Sequence, residues 1–220
     1  VPTTDGSNSA GADAPGARPA GPTQRSKAKE DRRRALLAAA ASLFAVNGFK
    51  SVSLEDLGAA AGVSGPAVYR HFPGKQAVLA DLLATVSREL LDGGRKVVAE
   101  NSDPRLALRR LVEFQVDFAL GKPEVIRVQD RDLSNLSEQD QSAVRALQRS
   151  YVELWVDVLS RLHPGTDAAE LRTRAHATFG LINSTPHSVR SHGRRMAAAA
   201  RPLLEEMALA ALTVDSPQTR

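Results

Sequence analysis

Tyr69, Arg70 and His71 follow one another in a stretch that reads as a short helix, and together they offer a phenol, a guanidinium and an imidazole. Groups of this kind donate to phosphate oxygens and to base edges. Ahead of them stand Gly65, Pro66 and Ala67, whose small side chains let the backbone come close to whatever the larger groups touch. Small residues at the entrance of a helix with donors one turn later suit insertion into the major groove of DNA.

Two short helices around a turn must hold that face outward. Ser53 is placed to cap the first, with Asp56 three residues on to reach back to it. Leu54, Leu57 and Ala61 recur at helical spacing, and Gly62 supplies the left-handed residue that closes the helix. Val63 is expected in the core at the turn. Ser64 stands where it can cap the second helix, Pro66 where its missing N–H costs nothing, and Val68 and Phe72 point inward four residues apart. That leaves Gly65, Pro66, Ala67, Tyr69, Arg70 and His71 outside, so the segment Ser53 to Phe72 reads as a DNA-binding helix-turn-helix.

Charge supports the same reading independently. Residues 25–80 hold nine Lys or Arg against four acids, whereas residues 81–220 hold nineteen of each sign. The formal net charge of +4 therefore sits in the helix-turn-helix part, an electrostatic footprint for phosphate. The plainer reading of Arg32, Arg33 and Arg34 is a solvated helix start. Residues 1–28, rich in Pro, Gly, Ser and Ala and without periodicity, are expected to form a disordered arm with Arg25, Lys27 and Lys29 at its end, a flexible leader with general affinity for DNA.

Composition excludes several other classes. Aromatic residues make up 4% of the chain within a hydrophobic fraction of 42%, so Ala, Leu and Val carry the core, which favours helices over strands. The chain has no cysteine, which removes disulfides and cysteine-ligated metals. His71, His163, His176, His187 and His192 show no metal-ligand spacing, and there is neither a glycine-rich phosphate loop nor a nucleophile motif. No enzyme, cofactor or metal site is expected. Without a transmembrane run or a signal-peptide core, a cytoplasmic protein without a membrane partner is expected.

Together with the preceding RRALLAAAASLFAVNGFKSV and the following FPGKQAVLADLL, the segment resembles the N-terminal domain of the TetR family of bacterial transcriptional regulators. Phe44 and Gly48, Ser53, Gly62-Val63-Ser64, Tyr69, His71-Phe72 and Lys75 carry the resemblance in order, over residues 33–83. It implies an all-α protein: a three-helix helix-turn-helix domain at 29–76, then a C-terminal helical effector-binding and dimerisation domain at 77–215. Lys75 resembles the family's phosphate-contacting lysine. Ser53, Tyr69, His71 and Lys75 are then expected on phosphates, and Ser64, Pro66, Ala67 and Arg70 on bases. Two positions depart from the common pattern. Gly58 stands where Ala is usual, at a small cost to the helix, and Gly65-Pro66 replaces a more polar pair, which throws base reading onto Arg70.

Beyond Lys75 every segment repeats a helical period, for about nine helices in all and no credible strand. Leu79, Leu82, Leu83, Val86 and Leu90 make one stripe; Asp103-Pro104 opens the next helix, and a shorter one follows Pro123. Ser137 with Asp140 caps a long helix that His163-Pro164-Gly165 breaks. Thr166 or Asp167 starts another, ending near Pro186, and Pro202 kinks or begins the last. Small residues crowd 171–186 and 196–212, which suits close helix approach between two copies, and the resemblance likewise implies a four-helix dimer interface there. Phe114, Phe118, Tyr151, Trp155 and Phe179 fall on three helices whose inner faces can converge, with Asn183 and His187 as polar groups. The resemblance implies an effector pocket there. The polar run Arg127 to Asp132 can line its mouth, transmit strain to the head, or be a solvated face.

These readings combine into a homodimeric repressor that binds a near-palindromic double-stranded operator and is released by a hydrophobic small-molecule effector. VQDRDLSNL and ELWVDVL look like regulators of lipid, sterol and acyl-CoA catabolism, which points to an acyl or acyl-CoA effector, with Arg127, Arg131 and Arg190 available for a CoA phosphate. The alternative is an effector-independent DNA-binding regulator controlled by a protein partner, for which a C-terminal domain without a cavity would speak.

Overall fold

The computed structural model describes residues 24–185 and 193–214. Among these there are nine α-helices and no strand: α1 (Gln24–Asn47), α2 (Leu54–Ala60), α3 (Gly65–His71), α4 (Lys75–Glu100), α5 (Pro104–Gly121), α6 (Pro123–Asp132), α7 (Glu138–Leu162), α8 (Ala168–Asn183) and α9 (Gly193–Thr213). A short 3-10 turn, Leu133–Asn135, joins α6 to α7. The first helix starts at Gln24, inside the stretch expected as an arm, because QRSKAKEDRRR is mostly straight-chain residues that lose little rotamer freedom in a helix. The rest of that stretch, residues 1–23, lies outside the described residues.

The first three helices and the start of α4 close over Phe44, Leu57, Val68 and Leu79, all fully buried. At α2 the capping box is complete: Ser53 Oγ accepts from the Asp56 N–H at 3.0 Å, and the Asp56 carboxylate accepts from the Ser53 N–H at 2.9 Å. Those bonds hold the Asp56 pKa below its ordinary value. The carboxylate half of the cap is therefore intact at neutral pH and weakens only as acid titrates through that lowered pKa, while the bond to Ser53 Oγ does not depend on it. Gly62 ends the helix at φ +66°, the left-handed region that favours glycine.

Ser64 departs from expectation. It holds the N-cap position of α3, but its side chain makes no bond to the helix. Pro66 has no N–H to give, and the Ala67 N–H goes to the Ser64 backbone carbonyl at 2.8 Å, so the hydroxyl is left facing outward.

Gly58 also does something the sequence pattern did not suggest. A Cβ there would stand 2.8 Å from the Val63 carbonyl oxygen and 2.9 Å from Val68 Cγ2, so glycine is what lets α2 approach the turn and α3. Gly58→Ala gains about 1 kcal/mol of helix propensity but forces backbone to move in a packed core. We expect a net loss of about 1 to 2 kcal/mol in urea unfolding; an unchanged midpoint would show that the turn gives way freely.

A long spine, α4 shares two cores. Val78 to Val86 pack into the head, and this cluster extends to Val125 and Val128 of α6 and Val144 of α7. From Leu91 onward α4 joins a second cluster with α5, α7, α8 and α9. Gln76 donates to the Asn135 carbonyl at 2.8 Å near one end of α4, and Arg161 donates to the Ser102 carbonyl at 2.6 Å near the other, so α4 and α7 run in the same direction. A glycine pair lets α4 pack closely on α5 and on α7. A Cβ at Gly93 would overlap the Phe114 ring, and one at Gly94 would stand 2.7 Å from Tyr151.

The remaining ends follow their signals. Asp103 caps α5 through the Leu106 N–H at 2.9 Å, and Ser137 caps α7 through the Asp140 N–H at 3.1 Å. Pro202 sits inside α9, which runs through it from Gly193. Buried Arg174 on α8 pairs with Glu170 at 2.6 Å and donates to the carbonyls of Leu212, in the last turn of α9, and Val214, just past its end, tying the two C-terminal helices together.

Candidate DNA-reading head and effector cavity

Tyr69 and Arg70 are exposed on α3, Pro66 is exposed beside them, and Ala67 and His71 are half-buried. Between this face and the first turns of α1 lies an open concavity of about 1040 Å³, lined by Lys29, Arg32, Ser64, Ala67, Arg70 and His71 among others. Burial and then the nearby Lys29, Arg32, Arg33 and Arg70 push the His71 pKa down. The three consecutive arginines divide their work. Arg33 ties α1 to Asp81 of α4 at 2.6 Å and lies 5.9 Å over the Phe72 ring, Arg34 pairs with Asp31 on the surface, and Arg32 faces the concavity. Burial of Asp81 outweighs Arg33 and leaves its pKa raised despite that pair. Lys75 donates to the Lys50 carbonyl at 3.1 Å and lies 4.7 Å over the Phe49 ring, so in the free protein its ammonium is parked beside the head.

In the C-terminal half, a cavity of about 200 Å³ opens between α4, α5, α6, α7 and α8. Leu90, Phe118, Ile126, Val152 and Phe179 form its apolar wall, and Ser87, Gln115, Gln129, Gln148, Tyr151, His176 and Asn183 its polar one. Gln115 organises part of the latter: it accepts from the Tyr151 hydroxyl at 3.1 Å and donates to Asn183 Oδ1 at 3.1 Å. Burial pushes the Tyr151 phenol far above its ordinary value, so it stays a donor.

The cavity and the head are joined through α6. Ile126 and Gln129 line the cavity, while Arg131, two residues further, donates to the Phe44 carbonyl in the last turn of α1. Arg131 is held in place by the neighbouring Asp132, with its Nη2 2.9 Å from Oδ2. Of the readings open for this polar run, a solvated face does not describe Asp132, which is buried, while Arg131 is exposed and yet bridges two helices.

A family model described as bacterial regulatory proteins of the tetR family matches residues 36–82, and a tetracyclin repressor-like C-terminal domain model matches residues 101–212. Together they cover the head and most of the C-terminal domain. The chain belongs to the TetR family. This TetR protein is a helix-turn-helix DNA-binding transcriptional regulator and not an enzyme. It is 27% identical over 139 residues to the HTH-type transcriptional repressor KstR2 of Rhodococcus jostii, covering 63% of this chain and 68% of the relative. A TetR-family regulator from Bordetella parapertussis has the same fold with a TM-score of 0.72 at 25% identity, over 84% of this chain and 98% of that one. At 14% identity and a TM-score of 0.65, FadR of Bacillus subtilis, solved with stearoyl-CoA, shares the fold over 81% of this chain and 98% of its own. No described helix of the TetR chain is long and apolar enough to cross a membrane.

In this TetR protein the residues expected around an effector are only partly together. Phe118, Tyr151, Phe179 and Asn183 line the cavity. Phe114 instead lays its ring on the Gly93 backbone of α4. Trp155 is wholly buried behind the wall, edge-on to Phe179 at 4.9 Å, since one further turn of α7 carries it past the cavity. His187 lies outside the described residues, as do Arg190 and Pro186, and Arg131 is committed to Asp132 and Phe44. The residues not anticipated were mostly polar. Ser87, Gln115 and Gln148 stand at core spacing in α4, α5 and α7, four residues after Leu83, Leu111 and Val144, and that misplacement was the available signal.

Proposed function

We propose that the protein is a repressor that binds a near-palindromic operator as a homodimer and is released when a small molecule fills the cavity. The observation that carries this reading is the position of α6, one turn of which lines the cavity while Arg131 grips α1. A ligand that fits better when α6 is displaced favours a different head position, and only such differential affinity moves the equilibrium. In the DNA-bound dimer two copies of α3 enter successive major grooves about 34 to 36 Å apart. Ser53, Tyr69, His71 and Lys75 then hold phosphates, and Ser64, Pro66, Ala67 and Arg70 face bases. The presence of a cavity speaks for an effector over sole control by a protein partner.

Dimerisation is assigned to the outward faces of α8 and α9. Thr173, Ala177, Gly180 and Ser184 make an exposed stripe of small residues on α8, and Leu203 and Met207 are large apolar groups left exposed on α9 beside it. An acyl-type effector fits the apolar wall, and the stearoyl-CoA complex of B. subtilis FadR is consistent with that class. Only the acyl portion of a CoA ester fits a cavity of about 200 Å³, so a CoA group would lie outside it. The test is fluorescence anisotropy on a DNA fragment from the region upstream of the protein's own coding sequence, with sedimentation of the complex. Saturable binding of two protomers per site is expected; a monomer on DNA, or no preference for the fragment over random DNA, would sink the reading.

A further inference from the structure

Ser87 and Gln148 present polar atoms to the cavity that nothing among the described residues answers. Ser87 is only 3% exposed, yet its hydroxyl has no hydrogen-bond partner among the described residues, and the buried amide nitrogen of Gln148 has none either. A helical serine ordinarily returns its proton to the carbonyl one turn back, and this one does not. The two donors sit on the packed pair α4 and α7 and line the same space. Orphaned buried donors are costly and rare. The other amide at the centre, Gln115, is already engaged by Tyr151 and Asn183.

Charge restricts what can answer them. Among the described residues no Lys, Arg, Asp or Glu lines the cavity, Tyr151 is held protonated, and His176 is exposed at the edge. A carboxylate placed between Ser87 and Gln148 would be desolvated without a cation. At the packing density of protein interiors, about 200 Å³ accommodates about ten non-hydrogen atoms.

We propose that the effector carries an uncharged carbonyl, of the ester, thioester or ketone class, on a short apolar chain. Its oxygen accepts from the Ser87 hydroxyl and the Gln148 amide, and its chain lies against Leu90, Phe118, Ile126 and Phe179. This rests on the reading of the cavity as the effector site. Trp155, the chain's one tryptophan, stands 4.9 Å from the Phe179 ring and reports occupancy by fluorescence. The probes are methyl heptanoate and its isomer octanoate, titrated at pH 8 with thermal melting and DNA release in parallel. The ester is expected to bind at least about tenfold more tightly than octanoate. Ser87→Ala and Gln148→Leu are each expected to weaken the ester about tenfold while leaving the melting temperature of the free protein unchanged or raised. Octanoate binding as tightly as the ester would overturn the uncharged class and leave the effector site standing. A Ser87→Ala protein that melts lower with unchanged ester affinity would give the hydroxyl to the fold and overturn the proposal. Silence of both probes in fluorescence, melting and DNA release would overturn the effector site as well.

Discussion

Arg131→Ala is expected to lower the unfolding free energy by about 2 to 3 kcal/mol in urea. The loss has two sources. The Asp132 side chain is 6% exposed, and without Arg131 its carboxylate stays buried with its cation gone. Removing one partner of a buried pair costs about 3 to 5 kcal/mol, and the 45% exposure of the Arg131 side chain brings that down because water takes part of its place. The variant also loses the bond to the Phe44 carbonyl, where a guanidinium sits at the negative end of α1. Asp132→Asn in the same protein should restore part of the stability, since the stranded charge goes. Arg131→Lys should restore little, because an ammonium lacks the fork that spans Asp132 and Phe44 at once. Its functional counterpart is an operator affinity that no longer responds to what fills the cavity. A loss below about 0.5 kcal/mol, within the range of ordinary surface changes, would mean that α6 is not tied to the head through this residue.

Arg70→Ala is expected to weaken the preferred operator by about 1 to 3 kcal/mol, roughly fivefold to 150-fold, while binding to random DNA falls far less. The argument comes from what surrounds it. Gly65, Pro66 and Ala67 have no side-chain donor, so under the proposed assignment base discrimination on α3 rests on Arg70 and the uncommitted hydroxyl of Ser64. Arg70 is exposed in the free protein, and the bond from its Nε to the Pro66 carbonyl, at 3.4 Å, is too long to resist reorientation. Competition binding against a library of single-base operator variants checks this. Equal losses on every sequence would reassign Arg70 to the phosphates.

The head was legible because its signals are local. A serine and an aspartate three apart, a glycine at a helix end and a proline in a first turn each act within a few residues, and each is found where the pattern placed it. The exceptions show where locality ends. Gly58 looked like a weak point of α2, but the atoms that require it belong to the turn and to α3. Ser64 looked like a cap until the backbone of Ala67 took the bond first. In the C-terminal half, helix positions followed from periodicity and end signals, while the cavity did not. Aromatic residues announce a core without saying which of them face its empty part, so Phe114 and Trp155 were indistinguishable from Phe118 and Tyr151. Polar residues at core spacing, such as Ser87, Gln115 and Gln148, were the more discriminating clue. The Arg131 bridge spans 87 residues of sequence, beyond the reach of any periodic pattern.

The proposed coupling of cavity to head is tested most directly by the distance between the two heads of the proposed dimer. The chain has no cysteine, so a single Val46→Cys substitution, at a position 76% exposed near the end of α1, takes one spin label per protomer. Pulsed electron spin resonance then reads one inter-protomer distance. With operator DNA a single narrow distribution is expected, and with saturating methyl heptanoate in place of DNA the peak should move by several ångströms as α6 carries α1 with it. Release of DNA by the ester with the same distance distribution in both states would contradict the account.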